Sequence, residues 1–285
     1  MQSIFFHLPG FSNNLNINLA LVGILNKFSE CFHDGIRIAS FFGSFPNAIW
    51  NGGRCEFGQI DIPKFQDTIE RINSLGIAIR YTFTNCLIKE EHLSDEYCNR
   101  LMDLCDNGKN EVLVNSPCLE RYLRSNYPGY KYVLSSTALT RGFEAVNTAC
   151  KYYDLVVADY RDVKEMAFLQ EISSRNKVEI MVNESCVMGC KYRREHYELI
   201  SRSQLTRTEM QAEKMCRYHD ISLFKEAYIP IETLYNVLVP MGFINFKIRG
   251  REFSTEKLIN EYMSFLVKPQ FREKIRKEVY SAAEF

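Results

Sequence analysis

Short apolar runs and amphipathic stretches alternate about eight times along this chain, and no other feature limits its fold as strongly. Runs rich in β-branched and aromatic residues read as strands over residues 3–8, 35–40, 77–83, 111–114, 130–134, 155–158, 178–182 and 243–248. Helical spacing falls between them, over 14–28, 62–75, 94–105, 117–127, 141–152, 162–173, 205–217, 232–239 and 254–267. Alternation of this kind means parallel strands joined by crossover helices. Eight such units in 285 residues favour one closed (β/α)8 TIM-type barrel over an open doubly wound sheet. No glycine-rich phosphate loop follows an early strand, which lowers the dinucleotide-binding alternative further. The expected organisation is a barrel over residues 1–268 with a short C-terminal helical extension over 269–285.

With 46% hydrophobic residues the chain can bury a full core, and its 35 basic residues equal its 35 acidic ones. A net charge of zero provides no global field toward nucleic acid or anionic membrane, so no nucleic-acid surface is expected. The opening MQSIFFHLPGFSNN lacks the pattern of a secretory leader, and no apolar run approaches a membrane span. A cytoplasmic protein with reduced thiols is the expectation for its ten cysteines. Cys31, Cys98, Cys105 and Cys150 lie in helix-like stretches, where a thiol serves as a small buried hydrophobe.

In a barrel of this type the residues just past each strand share one rim, and chemistry collects there. That rim would carry Ser40, Asn85 with Cys86, Asn115 with Ser116, Ser135 to Thr137, and Asp159. Asn183, Glu184, Cys186 and Cys190 join it in VEIMVNESCVMGCKYRREHY, and Lys247, Arg249 and Arg251 join it in FKIRGREF. The strands themselves read as apolar. A long Gly- and aromatic-rich loop after the second strand holds Arg54 and Cys55, and its length points to function.

Cys86, Cys186, Cys190 and Cys216 could converge on a four-iron four-sulfur cluster or a tetrahedral zinc ion. The single CVMGC pair differs from a zinc knuckle, and two idle loop thiols are the plain alternative. Arg249 and Arg251 precede a helix capped by Ser254 or Thr255, which suits binding of phosphate or carboxylate; surface salt bridges are the competing use. Asn85, Asn115, Asn183 and Lys247 complete a candidate substrate-binding set. Glu184 is a candidate acid or base and His196 a base or ligand, while no serine-hydrolase signature is present.

The order of these motifs resembles the collagenase-like peptidase family, peptidase family U32. The likeness runs through YTFTNCL, VNSPCLERYL, MVNESCVMGCKYRREHY, Cys216 and YIPIETLYNVLVPMGFINFKIRGREFST, roughly residues 35–270. The chain departs from the pattern at Pro230–Ile231–Glu232, where Pro-Glu is usual, and at Lys191, where many members have proline. The resemblance implies a barrel and, in several members, an iron–sulfur cluster on four cysteines. Such members hydroxylate ubiquinone precursors or transfer-RNA bases without oxygen, and others were named as collagen-degrading proteases. Carried onto this chain, the ligands would be Cys86, Cys186, Cys190 and Cys216, with Cys55 as a substitute for Cys216. The expected function is an iron–sulfur barrel enzyme modifying a small anionic metabolite, with a protein of the same family as a possible partner. The alternatives are an unconventional metal-dependent peptidase using Glu184 and His196, or a zinc-stabilised barrel without enzymatic activity acting in a complex.

Overall fold

The computed structural model describes residues 2–58, 60–208 and 226–283. Eight strands close a parallel ring in chain order: β1 Ile4–Pro9, β2 Ile36–Gly43, β3 Ala78–Phe83, β4 Glu111–Val114, β5 Lys131–Leu134, β6 Leu155–Val157, β7 Val178–Met181 and β8 Asn245–Lys247. Strand β8 returns to β1 through Phe5↔Asn245 and His7↔Lys247, so the sheet has no free edge. The expected (β/α)8 barrel is therefore the fold observed.

Around the ring lie α1 Leu15–Lys27, α2 Ile62–Ser74, α3 Glu96–Leu104, α4 Pro117–Asn126, α5 Phe143–Ala149, α6 Met166–Glu171 and α7 Arg193–Thr206. Helix α8 Ile231–Thr233 runs through a π-helical turn, Leu234–Leu238, into α9 Val239–Met241. Pro240, which offers no N–H, sits just past that turn. Helices α10 Thr255–Leu266 and α11 Arg272–Ala282 end the described chain, and α11 packs on α1 and α10 through Ile275 and Val279. No described helix is long and apolar enough to cross a membrane.

Local chemistry starts the helices where the sequence changes character. The side chains of Asp61, Asp95, Ser116 and Ser254 each accept an N–H from the first turn they cap, at 3.2, 2.8, 3.4 and 3.3 Å. Such a cap stabilises by about 1 kcal/mol. The cap of α3 is Asp95.

Four elements differ clearly from the sequence reading in their bounds. Strand β2 continues to Gly43 because Phe41 and Phe42 are buried, the first in the outer core and the second toward the lumen. Helices α5 and α6 are shorter than the amphipathic spacing implied, with Asp162–Lys164 set apart as a 3-10 turn. Helix α7 begins at Arg193, well before residue 205. Its buried side is polar, with Ser201, Ser203 and Gln204, because it lies over the loop after β2 and bonds to it. Apolar periodicity could not announce such a helix. The rest of the expected helix, including Cys216, lies outside the described residues.

The strands are not apolar throughout, which corrects the reading from sequence. Their outward side chains, among them Phe6, Tyr81, Val112, Ile180 and Phe246, pack into the main core beneath the helices. Inside the ring, Leu113, Val133 and Val157 form a small apolar cluster. The other side of the lumen carries His7, Arg80, Glu111, Glu179, Asn245 and Lys247, all buried. Arg80 organises them, with Nε 2.6 Å from Glu111 Oε2, Nη1 2.5 Å from Glu179 Oε2 and Nη2 2.9 Å from His7 Nδ1. Guanidinium can only donate, so His7 Nδ1 accepts and Nε2 carries the ring proton toward Glu179, 3.3 Å away. Cys31, Cys98, Cys105 and Cys150 are all buried, as expected of small hydrophobes.

Candidate functional site

Asn245 and Lys247 alternate along β8, which places their side chains on one face, and Arg249 and Arg251 follow in the segment just past its end. That face is the lumen, and the row climbs from the ion cluster to the C-terminal mouth. There a cavity of about 110 Å³ is lined by Lys247, Arg249, Arg251 and Arg54, with hydroxyls from Thr82 and Ser135. A larger depression, about 1480 Å³, opens at the opposite end among the strand starts. Barrels of this type keep their chemistry at the C-terminal end, so the smaller cavity is the candidate site.

Each cation of the row is held by a specific partner. The Asn183 side chain grips the Arg249 backbone, accepting its N–H at 2.7 Å and donating to its carbonyl at 3.1 Å. The same amide donates to Glu261 on α10 at 3.0 Å, which ties β7, β8 and α10 together. The Arg249 guanidinium pairs with Glu252, which also takes Arg54 at 2.8 Å. Between the two arginines, Gly250 has φ +148°, and a Cβ there would stand 2.8 Å from the Phe253 ring. Arg251 reaches across the mouth to donate to Ser44 Oγ and to Thr82 Oγ1 at 3.3 Å, with Glu56 3.5 Å away.

The cations remain short of negative charge. Burial lowers the pKa of Lys247 to about 8, with Arg80 and Arg251 adding to the effect and Glu179 opposing it. Burial lowers Arg249 to about 10, with Arg54 also lowering it and Glu184 opposing. Arg251 falls to about 10 through burial and the repulsion of Arg54 and Arg249, against the pull of Glu56. An anion in the cavity would offset this shortage. Below them, burial and Arg80 lower His7 to about 4, so it is neutral at physiological pH. Burial raises the Glu179 carboxyl, but Arg80, His7 and Lys247 outweigh it and bring it to about 2.

Glu184 borders the cavity and accepts from Ser185 N at 2.8 Å and from Arg193 at 3.3 Å. Burial favours its neutral form, yet Arg193 and Arg249 prevail and hold its pKa below the ordinary range. His196 stands on α7 rather than in a loop, and its pKa is lowered by burial and by Arg54 and Arg193. Asn85 is fully buried and spent on structure, donating to Ile49 O at 2.8 Å and Ser201 O at 3.0 Å. Asn115 donates to Thr137 Oγ1 at 3.0 Å, behind the cavity wall. Asn183 likewise acts through Arg249. The structure thus brings Lys247, Arg249, Arg251 and Glu184 to one cavity, while the three asparagines brace its surroundings.

The described cysteines do not form one ligand set. Cys86 Sγ lies 3.3 Å from Ser201 Oγ, and Cys55 Sγ lies 3.6 Å from Ile200 O, both well along α7. Cys186 and Cys190 precede α7, and Cys186 neighbours Tyr160. Ser201 is eight residues beyond Arg193, about 12 Å along a helix axis. Thiolates sharing one zinc lie about 2.3 Å from it, and a cluster also needs convergence. Among the described residues no three His, Cys, Asp or Glu side chains are placed to hold a metal ion. Cys216, the fourth expected ligand, lies outside the described residues.

Several contributors escaped the sequence reading: Ser44, Thr82, Glu56, Arg193 and Tyr197 around the mouth, and the ion cluster beneath it. For the cluster a signal existed, since His7, Arg80 and Glu179 each interrupt an apolar strand with a polar or charged side chain. Glu56 and Arg193 carried none, because their places depend on how the loop after β2 meets α7.

Fold and site define a (β/α)8 barrel with a cationic C-terminal mouth above a buried ion cluster. No protein-family model matches the sequence. No curated protein matches it either. Among solved structures the chain is similar to the U32 peptidase Mk0906, with a TM-score of 0.56 and 12% identity over 89% of this chain and 95% of that one. At that identity the likeness speaks to the fold.

Proposed function

We propose that this protein is a barrel enzyme of the U32 peptidase type that binds a small anionic substrate at its C-terminal mouth. The observation that carries this reading is the convergence of Lys247, Arg249 and Arg251 on one cavity, each with its charged form disfavoured. A carboxylate or phosphate would pair with guanidinium in the bidentate manner arginine favours. Binding at a hundredfold excess over Kd stabilises the folded state by about 2.7 kcal/mol. Melting curves in malonate and in phosphate, against chloride at matched ionic strength, test this. Both dianions should raise Tm, by roughly 5–10 °C at that saturation, and Arg251→Gln should remove most of the rise. Equal behaviour in chloride would overturn the reading.

Iron–sulfur-dependent hydroxylation of that substrate is the finer form of the proposal and requires Cys86, Cys186, Cys190 and Cys216 to close on a cluster. Iron and sulfide analysis after anaerobic purification, beside Cys186→Ser and Cys190→Ser, decides it. Cysteine-dependent iron would support the cluster, zinc alone would favour a structural metal, and metal-free protein would remove both. The fold likeness to a peptidase supports hydrolysis as a second reading. Glu184 and His196 are its candidate groups, close enough that Glu184 acts on the charge of His196. Peptide hydrolysis unchanged in Glu184→Gln would eliminate them.

A further inference from the structure

We propose that Lys247 is a nucleophilic amine that condenses with the carbonyl carbon of a small anionic oxo compound, a 2-oxo acid or aldehyde acid, whose charged end is held by Arg249 and Arg251. The inference rests on the anionic-substrate reading and names the substrate class. Lys247 is the one amine among the described residues lining the mouth cavity. The arginines beside it stay protonated and serve as clamps, whereas lysine is the cation that becomes a nucleophile when burial favours its neutral form. Its ammonium nitrogen stands 4.1 Å from the centroid of the Phe42 ring and 3.6 Å from Glu179 Oε1, beyond hydrogen-bond range. That oxygen is buried and has no hydrogen-bond partner among the described residues.

The charges facing Lys247 are those of Glu179 on β7, Arg80 on β3 and Arg251 above, with neutral His7 on β1. Burial is the main cause that favours loss of the proton, Glu179 opposes it, and Arg80 and Arg251 add to it. The neutral amine donates its lone pair to the carbonyl carbon, and the π electrons move to oxygen, which takes a proton. After nitrogen gives up a proton, the carbinolamine oxygen is protonated again and leaves as water while the nitrogen lone pair forms C=N. One amine, one carbonyl and one proton thus give one iminium and one water, with no oxidant or reductant. Hydroxyls of Thr82, Ser135 and Thr137 line the cavity where the departing oxygen would sit. Glu179, ionised throughout, balances the iminium as it balanced the ammonium, and its free oxygen can accept the iminium N–H.

With a pKa of about 8 in place of 10.5, neutral amine at pH 7.5 is enriched on the order of two hundredfold over an ordinary lysine. The test treats the protein with glyoxylate and then borohydride, which reduces any iminium to a stable secondary amine, and maps the adduct by peptide mass spectrometry. Lys247 should be labelled at least about tenfold more than exposed Lys151 and Lys277. Labelling should rise with pH through about 8, be blocked by malonate and vanish from position 247 in Lys247→Arg. Malonate lacks a reactive carbonyl, so its binding is followed in parallel by the melting shift. Malonate binding with Lys247 unlabelled overturns this inference and leaves the anionic-substrate reading standing. Absence of malonate binding overturns both, and labelling of Lys247 no greater than that of Lys151 overturns the inference whatever malonate does.

Discussion

Arg80→Met removes the centre of the lumen cluster and leaves two carboxylates, Glu111 and Glu179, facing each other's surroundings without their shared guanidinium. Arg80 and Glu179 are fully buried, so water cannot take the place of the lost partner. Breaking a buried pair by removing one member costs about 3–5 kcal/mol, because the remaining charge is stranded. At roughly 2–4 °C per kcal/mol, Tm should fall by about 6–20 °C near neutral pH. The effect has a pH signature. In the wild type the folded pKa of Glu179 is about 2, below its ordinary 4.5. Its contribution is therefore fully present above about pH 4.5 and is lost as pH falls toward 2. In the variant the folded pKa of Glu179 rises, because Arg80 is the largest of the groups that lower it against burial, so less stability is lost as pH falls. The gap between the two proteins should narrow from pH 7 to pH 4. Urea unfolding at pH 7, 5.5 and 4 measures it. A penalty below about 1 kcal/mol at pH 7, or a gap that stays constant with pH, would refute the account of the cluster as a strongly coupled buried ion network.

Asn183→Ala should cost about 1–3 kcal/mol, since it leaves the part-buried Arg249 N–H without its acceptor. It should also weaken malonate binding severalfold in the melting assay, by freeing Arg249. Gly52→Ala would place a Cβ 2.3 Å from the Thr84 carbonyl oxygen, so the loop after β2 must shift, and malonate protection should fall although no cation has changed. Asn85→Ala should lower Tm by several degrees, because it cuts the ties from β3 to the Ile49 and Ser201 carbonyls, while Lys247 labelling by glyoxylate should persist.

Where burial follows periodicity, the chain could be read directly. The eight apolar runs lie on the eight strands because their outward residues, such as Phe6, Ile79 and Val156, must face helices. The candidate rim was legible in the same way, as Lys247 and Arg249 follow from where β8 ends. What could not be read depends on contacts between distant segments. Helix α7 has polar buried residues because it covers another polar segment, and Gln204 receives the Glu56 N–H at 3.1 Å across that seam. Asn85, Asn115 and Asn183 look alike in sequence, each at a strand end. Only their partners show that the first ties down α7, the second braces Thr137 and the third orients Arg249. The cysteines illustrate the limit most clearly, since proximity to strand ends does not decide which side of α7 a thiol meets.

The row from Asn245 to Arg251 also explains why charge in the lumen and charge at the mouth belong to one arrangement. The partners along it differ in burial. Lys247 faces Glu179, which is fully buried, while Arg249 pairs with Glu252, which is 34% exposed. A partner locked in the lumen cannot move away to admit a ligand, so it fixes the position of the amine. A partially exposed partner can turn outward and release its arginine to an incoming anion, which takes over the charge it gives up. The cluster under Arg80 therefore acts as a rigid floor, with Arg80 and Lys247 set against Glu111 and Glu179. The mouth arginines act as exchangeable clamps above it. Preorganised charge below and replaceable charge above is what a site needs to hold an anion's charged end while a second group is presented to Lys247.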